Sequence, residues 1–190
     1  MGTFTITATN LEWIGGTKDD PQDQCLHGHA IAMVGSRKLE RDATVSSTAL
    51  YLLKTLTEDH IIYEDNQMLP CCGHYCIPND KLDNVIILGC INGIDWTVTH
   101  DRDLVIIELD DGTKETVNIE DYKKEVFKFA DMIEDFYNSC TPKELPGTDD
   151  LEYRNGWIAF WNEWHRRRGN RTILYKTNLL FTDNVRSCNV

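Results

Sequence analysis

The sequence predicts an α+β domain in which an antiparallel β meander packs against two long C-terminal helices and one shorter helix. Three observations carry this expectation. Between residues 85 and 119, apolar segments are separated by turn signals at Asn92-Gly93, Asp101-Arg102-Asp103 and Asp111-Gly112, the kind of pairs that tight antiparallel turns select. Residues 120–138 carry apolar side chains at three- and four-residue spacing, the period of an amphipathic helix. Residues 151–168 repeat that period with aromatics. The chain has 190 residues, 41% of them hydrophobic and 26% charged. Such a composition excludes a disordered chain and supports a real core. We expect one domain over residues 1–168 and a C-terminal extension over 169–190.

Along the chain, residues 3–9 alternate Phe4, Ile6 and Ala8 and read as a strand. Residues 10–24, with Gly15-Gly16 and DDPQDQ, read as a loop. Residues 25–34 read as the hairpin partner of the first strand, and Gly35-Ser36 turns the chain. Residues 46–57 are expected to be helical, with Ser46 or Ser47 as N-cap and Leu50, Leu53 and Leu56 on one face. Residues 58–72 are polar and read as irregular.

The Asn92-Gly93 pair is a type I′ signal, because both central residues of that turn take positive φ. It places Ile87 opposite Val98 and Cys90 opposite Asp95. Taking Leu109 opposite Lys114 across Asp111-Gly112 sets Ile106 opposite Val117. With Val98 beside Ile106, one face of a four-stranded meander gathers Val85, Ile87, Ile91, Ile94, Trp96, Val98, Leu104, Ile106, Val117 and Ile119. The whole sheet should have four to seven strands.

The helix over 120–138 places Tyr122, Val126, Phe129, Ala130, Ile133, Phe136 and Tyr137 on its apolar face, with Glu120 and Asp121 at its positive end. Pro142 and Pro146-Gly147 interrupt the chain. The helix over 151–168 carries Tyr153, Trp157, Phe160, Trp161 and Trp164, ends on Arg166, Arg167 and Arg168, and stops at Gly169. Residues 171–181 read as a strand, either added to a sheet edge or outside the core fold.

Charge and cysteine narrow the function. Acidic residues number 31 against 19 basic, a net of −12. This argues against general nucleic-acid binding, since phosphates are met by Lys and Arg. Residues 1–152 hold 12 basic and 29 acidic side chains, net −17. An acidic face of this kind suits a basic protein partner as well as it suits solubility. No stretch approaches eighteen apolar residues, so no membrane partner is expected. Seven cysteines, an odd count, with no basic-then-apolar leader at the N-terminus, suit a reducing cytoplasm.

The candidate sites follow from residue type and spacing. Cys71, Cys72, His74 and Cys76 have the chemistry of zinc ligands, and Cys90 adds another from the next strand. Residues 72, 74 and 76 of an extended strand span about 13.6 Å, so one ion can be shared only if the segment folds as a loop around Gly73. The plainer reading is structural thiols, and the C-x-x-C spacing of a redox motif is missing. No cofactor is called for by any motif, with zinc as the one candidate. Cys25, His27 and His29 share a strand face. Glu58, Asp59, Glu64 and Asp65 bracket an apolar triplet and read as a partner-facing acidic run. Trp157 and Trp161 read first as core and second as a partner-binding patch, since Trp is favoured at binding hot spots. No phosphate loop, dinucleotide fingerprint, nucleophile elbow or H-E-x-x-H occurs, and the balance falls against an enzyme.

The segments EDNQMLPCCGHY (64–75), GIDWTVTH (93–100), YKKEVFKFADMIEDFYNS (122–139) and FWNEWHRRR (160–168) resemble a group of small, acidic, uncharacterised bacterial proteins, over roughly residues 1–168. That resemblance implies no catalytic residue. By size, acidity and α+β layout the chain also resembles immunity proteins, which sit in the cytoplasm and neutralise secreted toxins. The resemblance implies a non-enzymatic binding protein whose acidic face occludes a basic toxin. The alternative is a zinc- or thiol-dependent enzyme centred on the cysteine cluster.

Overall fold

The computed structural model describes residues 2–64, 66–73, 75–145, 147 and 150–169. The strand expected over 171–181 lies outside them. The first three strands are β1 (Phe4–Glu12), β2 (His27–Val34) and β3 (Arg37–Thr44), which form an antiparallel sheet in that order. The hairpin of the first two strands follows the expected pairing, with Phe4 opposite Val34 and Ala8 opposite Ala30. Gly35, at φ 58°, and Ser36 close the turn into β3. The sequence left residues 37–44 unassigned because RKLERDAT offers little apolar alternation. They become a strand through register with β2, and only the last two, Ala43 and Thr44, are buried.

Helix α1 (Val45–Lys54) runs through the interior, with every residue from Val45 to Leu53 buried. A helix apolar on most of its surface has no solvent face to present. Its N-cap is Thr44, not Ser46 or Ser47, and the Thr44 side chain makes no capping hydrogen bond. Thr48 and Thr55 instead satisfy their hydroxyls on the carbonyls of Thr44 and Leu52, at 3.3 and 2.8 Å.

The next six strands are β4 (Leu69–Pro70), β5 (Tyr75–Pro78), β6 (Val85–Leu88), β7 (Gly93–Ile94), β8 (Thr97–Asp101) and β9 (Leu104–Glu108), and β10 (Lys114–Asn118) follows. The last three make a three-stranded antiparallel meander. The expected fourth strand is not part of it. β6 turns back onto β5, and β7 pairs with β4. Neither Asn92 nor Gly93 takes positive φ, so the type I′ hairpin does not form. Gly93 serves a different purpose: a Cβ there would lie 2.5 Å from the Cβ of Gln67 and 3.0 Å from the carbonyl oxygen of Leu69.

The register of the meander also differs by one residue. Glu108 faces Lys114, Val105 faces Val117 and Ile107 faces Val98. A one-residue slip exchanges the two faces of a strand. Val105, Ile107 and Leu109 are therefore buried, while Leu104 and Ile106 are half-buried on the other side. The remaining assignments on the expected face hold for Val85, Ile87, Trp96, Val98 and Val117, all buried, whereas Ile91 is 88% exposed.

Helices α2 (Ile119–Ser139) and α3 (Leu151–Arg168) match their expected spans within a residue. The Asn118 side chain caps α2 by accepting from the Glu120 amide at 2.9 Å, and Asp150 caps α3 by accepting from Tyr153 at 3.1 Å. The apolar face of α2 packs on β1 and α1, bringing Tyr122 to 5.0 Å from Phe4, ring to ring. α3 lies across β5, where Gly156 allows helix and strand to touch: a Cβ on it would sit 3.0 Å from the carbonyl carbon of Cys76 and closer still to the oxygen.

Candidate functional site

Residues 69–73 and 75–78 run antiparallel to 85–94 as one interrupted ladder. Pro70 pairs with Gly93 on one side of the interruption and Tyr75 with Leu88 on the other. Within it, Cys71, Cys72 and Cys90 bring their sulfurs within 4.8 Å of one another. Cys72 is exposed, and Cys71 and Cys90 are half-buried. The three thiols share hydrogen bonds. Donation to Cys90 holds the Cys71 thiol up at about 11. Acceptance from Cys71 and Cys72, helped by the backbone at Asn92, draws Cys90 down to about 7.

The other expected ligands do not join them. His74 lies outside the described residues. Cys76 is 4% exposed, backed by Gly156, and burial pushes its thiol up to about 12. It stands outside the group of three, because alternation along β5 turns it into the core. Cys25 is also pushed up to about 12, chiefly by burial. Its sulfur lies 3.9 Å from Nε2 of His27, while His29 turns to Asp42 at 2.8 Å and Glu40 at 3.4 Å.

A second region is electrostatic. The segment 59–62 runs antiparallel along the free edge of β8, with His60 and Val98 exchanging both backbone hydrogen bonds at 2.8 Å. Asp59 therefore meets His100, accepting from its Nδ1 at 2.7 Å and its amide at 3.2 Å. The adjoining turn carries exposed Asp101 and Asp103, and the carbonyl of Asp103 accepts from the amide of Ile119 at 2.9 Å. This bond brings the start of α2, with exposed Glu120 and Asp121, to the same end of the molecule. Glu58, Asp59, Asp101, Asp103, Glu120 and Asp121 thus surround one end, against Arg102, Lys123 and Lys124. A cleft of about 290 Å³ opens beside Glu58 and Asp59, walled by Lys54, His60 and Ile86.

Of the residues read as partner-facing, Glu58 and Asp59 belong to this end, and both also have internal partners. Glu58 pairs with Arg167. Glu64 is exposed in the turn that follows, its amide donating to the Ile61 carbonyl at 3.1 Å, and Asp65 lies outside the described residues. Trp157 is only 8% exposed and stacks on Phe160 at 5.8 Å. Trp161 is half-buried, edge-on to Tyr137 at 5.2 Å.

Sequence reasoning missed two buried polar arrangements. Asp95, expected opposite Cys90, instead accepts from Nε2 of His60 at 2.8 Å and from the Met68 amide at 3.1 Å. Glu163 has no exposed surface; it accepts from the Val85 amide at 2.7 Å and from Nε of Arg167 at 2.7 Å, with Lys54 at 3.3 Å. The second had a legible trace, a carboxylate four residues before an arginine on an aromatic helix face.

Comparison with protein families, with characterised proteins and with solved structures finds no match to this chain. No helix among the described residues is long and apolar enough to cross a membrane.

Proposed function

We propose that this is a non-enzymatic binding protein of the bacterial cytoplasm, of the immunity type, whose acidic end occludes a basic surface on a toxin. The observation that carries this reading is the convergence of Glu58, Asp59, Asp101, Asp103, Glu120 and Asp121, drawn from three separate segments, onto one end of the fold. Concentrated charge of one sign steers a partner of the other sign and fixes its orientation. Each exposed ion pair made there contributes about 0.2–1 kcal/mol, so specificity rests on the array and not on one contact. The partner's Lys and Arg side chains would be covered by these carboxylates, which blocks any surface that must itself meet phosphate.

The test is affinity capture from the native host with the wild type and with an Asp101→Lys/Glu120→Lys variant, in parallel. A basic protein held by the wild type, released by salt and absent from the variant supports the function. Capture indifferent to charge reversal contradicts it.

A second reading, a thiol-dependent enzyme, is favoured by one arrangement: the Cys90 sulfur lies within 4.8 Å of those of Cys71 and Cys72, neighbours that lower its pKa, and a thiolate near neutrality is a nucleophile. Turnover of a thiol-reactive substrate abolished by Cys90→Ser would support it, and its persistence in that variant would contradict it.

A further inference from the structure

In a continuous strand, neighbouring side chains point to opposite faces, so Cys71 and Cys72 could not both meet Cys90. The interruption of the ladder removes that restriction. Its two sides approach through glycine. Gly73 takes φ +129°, and a Cβ on it would lie 2.5 Å from the Cα of Gly89; a Cβ on Gly89 would lie 2.6 Å from the carbonyl oxygen of Cys72. Two hydrogen bonds then fix the loops without using a sulfur. The Cys71 amide donates to the Asn92 carbonyl at 3.1 Å, and Oγ of Ser47, on α1, donates to the Gly73 carbonyl at 2.7 Å. The backbone is thus anchored to the core while three sulfurs from two loops converge at the surface.

We propose that Cys71, Cys72 and Cys90 form a three-thiolate site for a thiophilic metal ion, Zn²⁺, with a fourth position open on the exposed Cys72 side. Zinc takes sulfur at about 2.3 Å in a tetrahedron, which sets its sulfur ligands about 3.8 Å apart. The three sulfurs, all within 4.8 Å of one another, need to close by about 1 Å at most. On binding, three Zn–S bonds form, each protonated thiol gives its proton to solvent, and no electron is transferred. Soft thiolates select zinc over the oxygen-seeking Mg²⁺ and Ca²⁺. This site shares no residue with the acidic end and does not depend on the docking function.

The experiment uses the full chain, purified under reductant without added metal. It is titrated with Zn²⁺ against a chromophoric chelator, and with Co²⁺ as an optical probe of geometry. One equivalent of zinc should bind, and Co²⁺ should give a tetrahedral spectrum with sulfur-to-metal charge transfer that zinc abolishes. Cys72→Ser and Cys90→Ser should each weaken binding by more than about 100-fold, while Cys140→Ser leaves it unchanged. Circular dichroism of each variant separates loss of a ligand from loss of the fold, and Cys72, being exposed, is the safer of the two substitutions. Failure of the folded wild type to take up zinc would overturn the proposal. So would uptake that survives both serine substitutions, or a disulfide joining Cys90 to Cys71 or Cys72 in protein trapped with an alkylating reagent on isolation.

Discussion

Gly156→Ala sets two physical effects of opposite sign against each other. Inside a helix, alanine is favoured over glycine by about 1 kcal/mol, so propensity alone makes this a stabilising change. The packing of α3 on β5 reverses the sign. The added methyl would sit 3.0 Å from the carbonyl carbon and the Cβ of Cys76, and would overlap the carbonyl oxygen. The opposing atoms belong to the backbone of a paired strand, with Cys76 opposite Ile87, so they cannot swing aside as a side chain would. Overpacking of this kind costs about 1–3 kcal/mol, and more when backbone must move. Because backbone must move here, the cost falls in the upper part of that range, about 2–3 kcal/mol, and the net effect should be a loss of about 1–2 kcal/mol, lowering the melting temperature by about 2–8 °C for a chain of this size. Urea unfolding followed by circular dichroism measures it. A variant as stable as the wild type, or more stable, would show that the close approach of α3 and β5 is not as described.

Other outcomes follow from the same structure. Glu163→Ala removes the acceptor of the buried Val85 amide and of the Arg167 Nε, while Arg167 keeps its pairing with Glu58, and should cost about 1–3 kcal/mol in chemical denaturation; a loss under about 0.5 kcal/mol would refute the network's role. Cys90, drawn to about 7, should be alkylated by iodoacetamide at a rate that rises as pH passes through about 7, since lowering the pKa raises the thiolate fraction at neutral pH. Peptide mapping that places the fastest alkylation at Cys76, or finds Cys90 reacting only in the ordinary thiol range near 9, would contradict this. Tyr122 donates to or accepts from Oγ1 of Thr55 at 2.8 Å inside the core, so Tyr122→Phe, which leaves the threonine hydroxyl its bond to Leu52, should cost about 0.5–1.5 kcal/mol in the same assay, and a cost above 3 would indicate a partner beyond Thr55.

The helices were legible because their signal is local and long. Tyr122, Val126, Phe129, Ala130, Ile133 and Tyr137 recur with the helical period and all are buried in α2. The β1–β2 hairpin was legible for the same reason, through the alternation of Phe4, Ile6 and Ala8. The interrupted ladder was not. Asn92-Gly93 is the strongest local turn signal in the chain, yet tertiary pairing with Leu69 and Pro70 overrides it. That pairing joins segments more than twenty residues apart, which neither periodicity nor turn chemistry encodes. The slip in β9 has a smaller cause. Leu109 belongs to the turn, bonded to Thr113 at 2.9 Å, so the loop is one residue longer than Asp111-Gly112 suggests and the strand's two faces exchange.

The cysteine site was half legible. The requirement that residues around Gly73 leave the extended conformation follows from strand geometry, and Cys90 was named as the contribution from the next strand. That Cys76 would turn inward depended on where β5 begins, and hence on the ladder. The acidic end shows the same division. The charge excess is plain in composition, but its concentration depends on the Asp103–Ile119 hydrogen bond and on the 59–62 segment lying along β8, both products of the tertiary fold.

The most direct measurement is hydrogen–deuterium exchange of the protein alone and in complex with the basic partner captured from its host. Occlusion by the acidic end predicts slowed exchange at residues 58–60, 99–104 and 119–124, with little change over 75–77 and 88–91. Protection confined to the exposed apolar side chains Tyr75, Leu88 and Ile91, with the acidic end exchanging as freely as before, would contradict it.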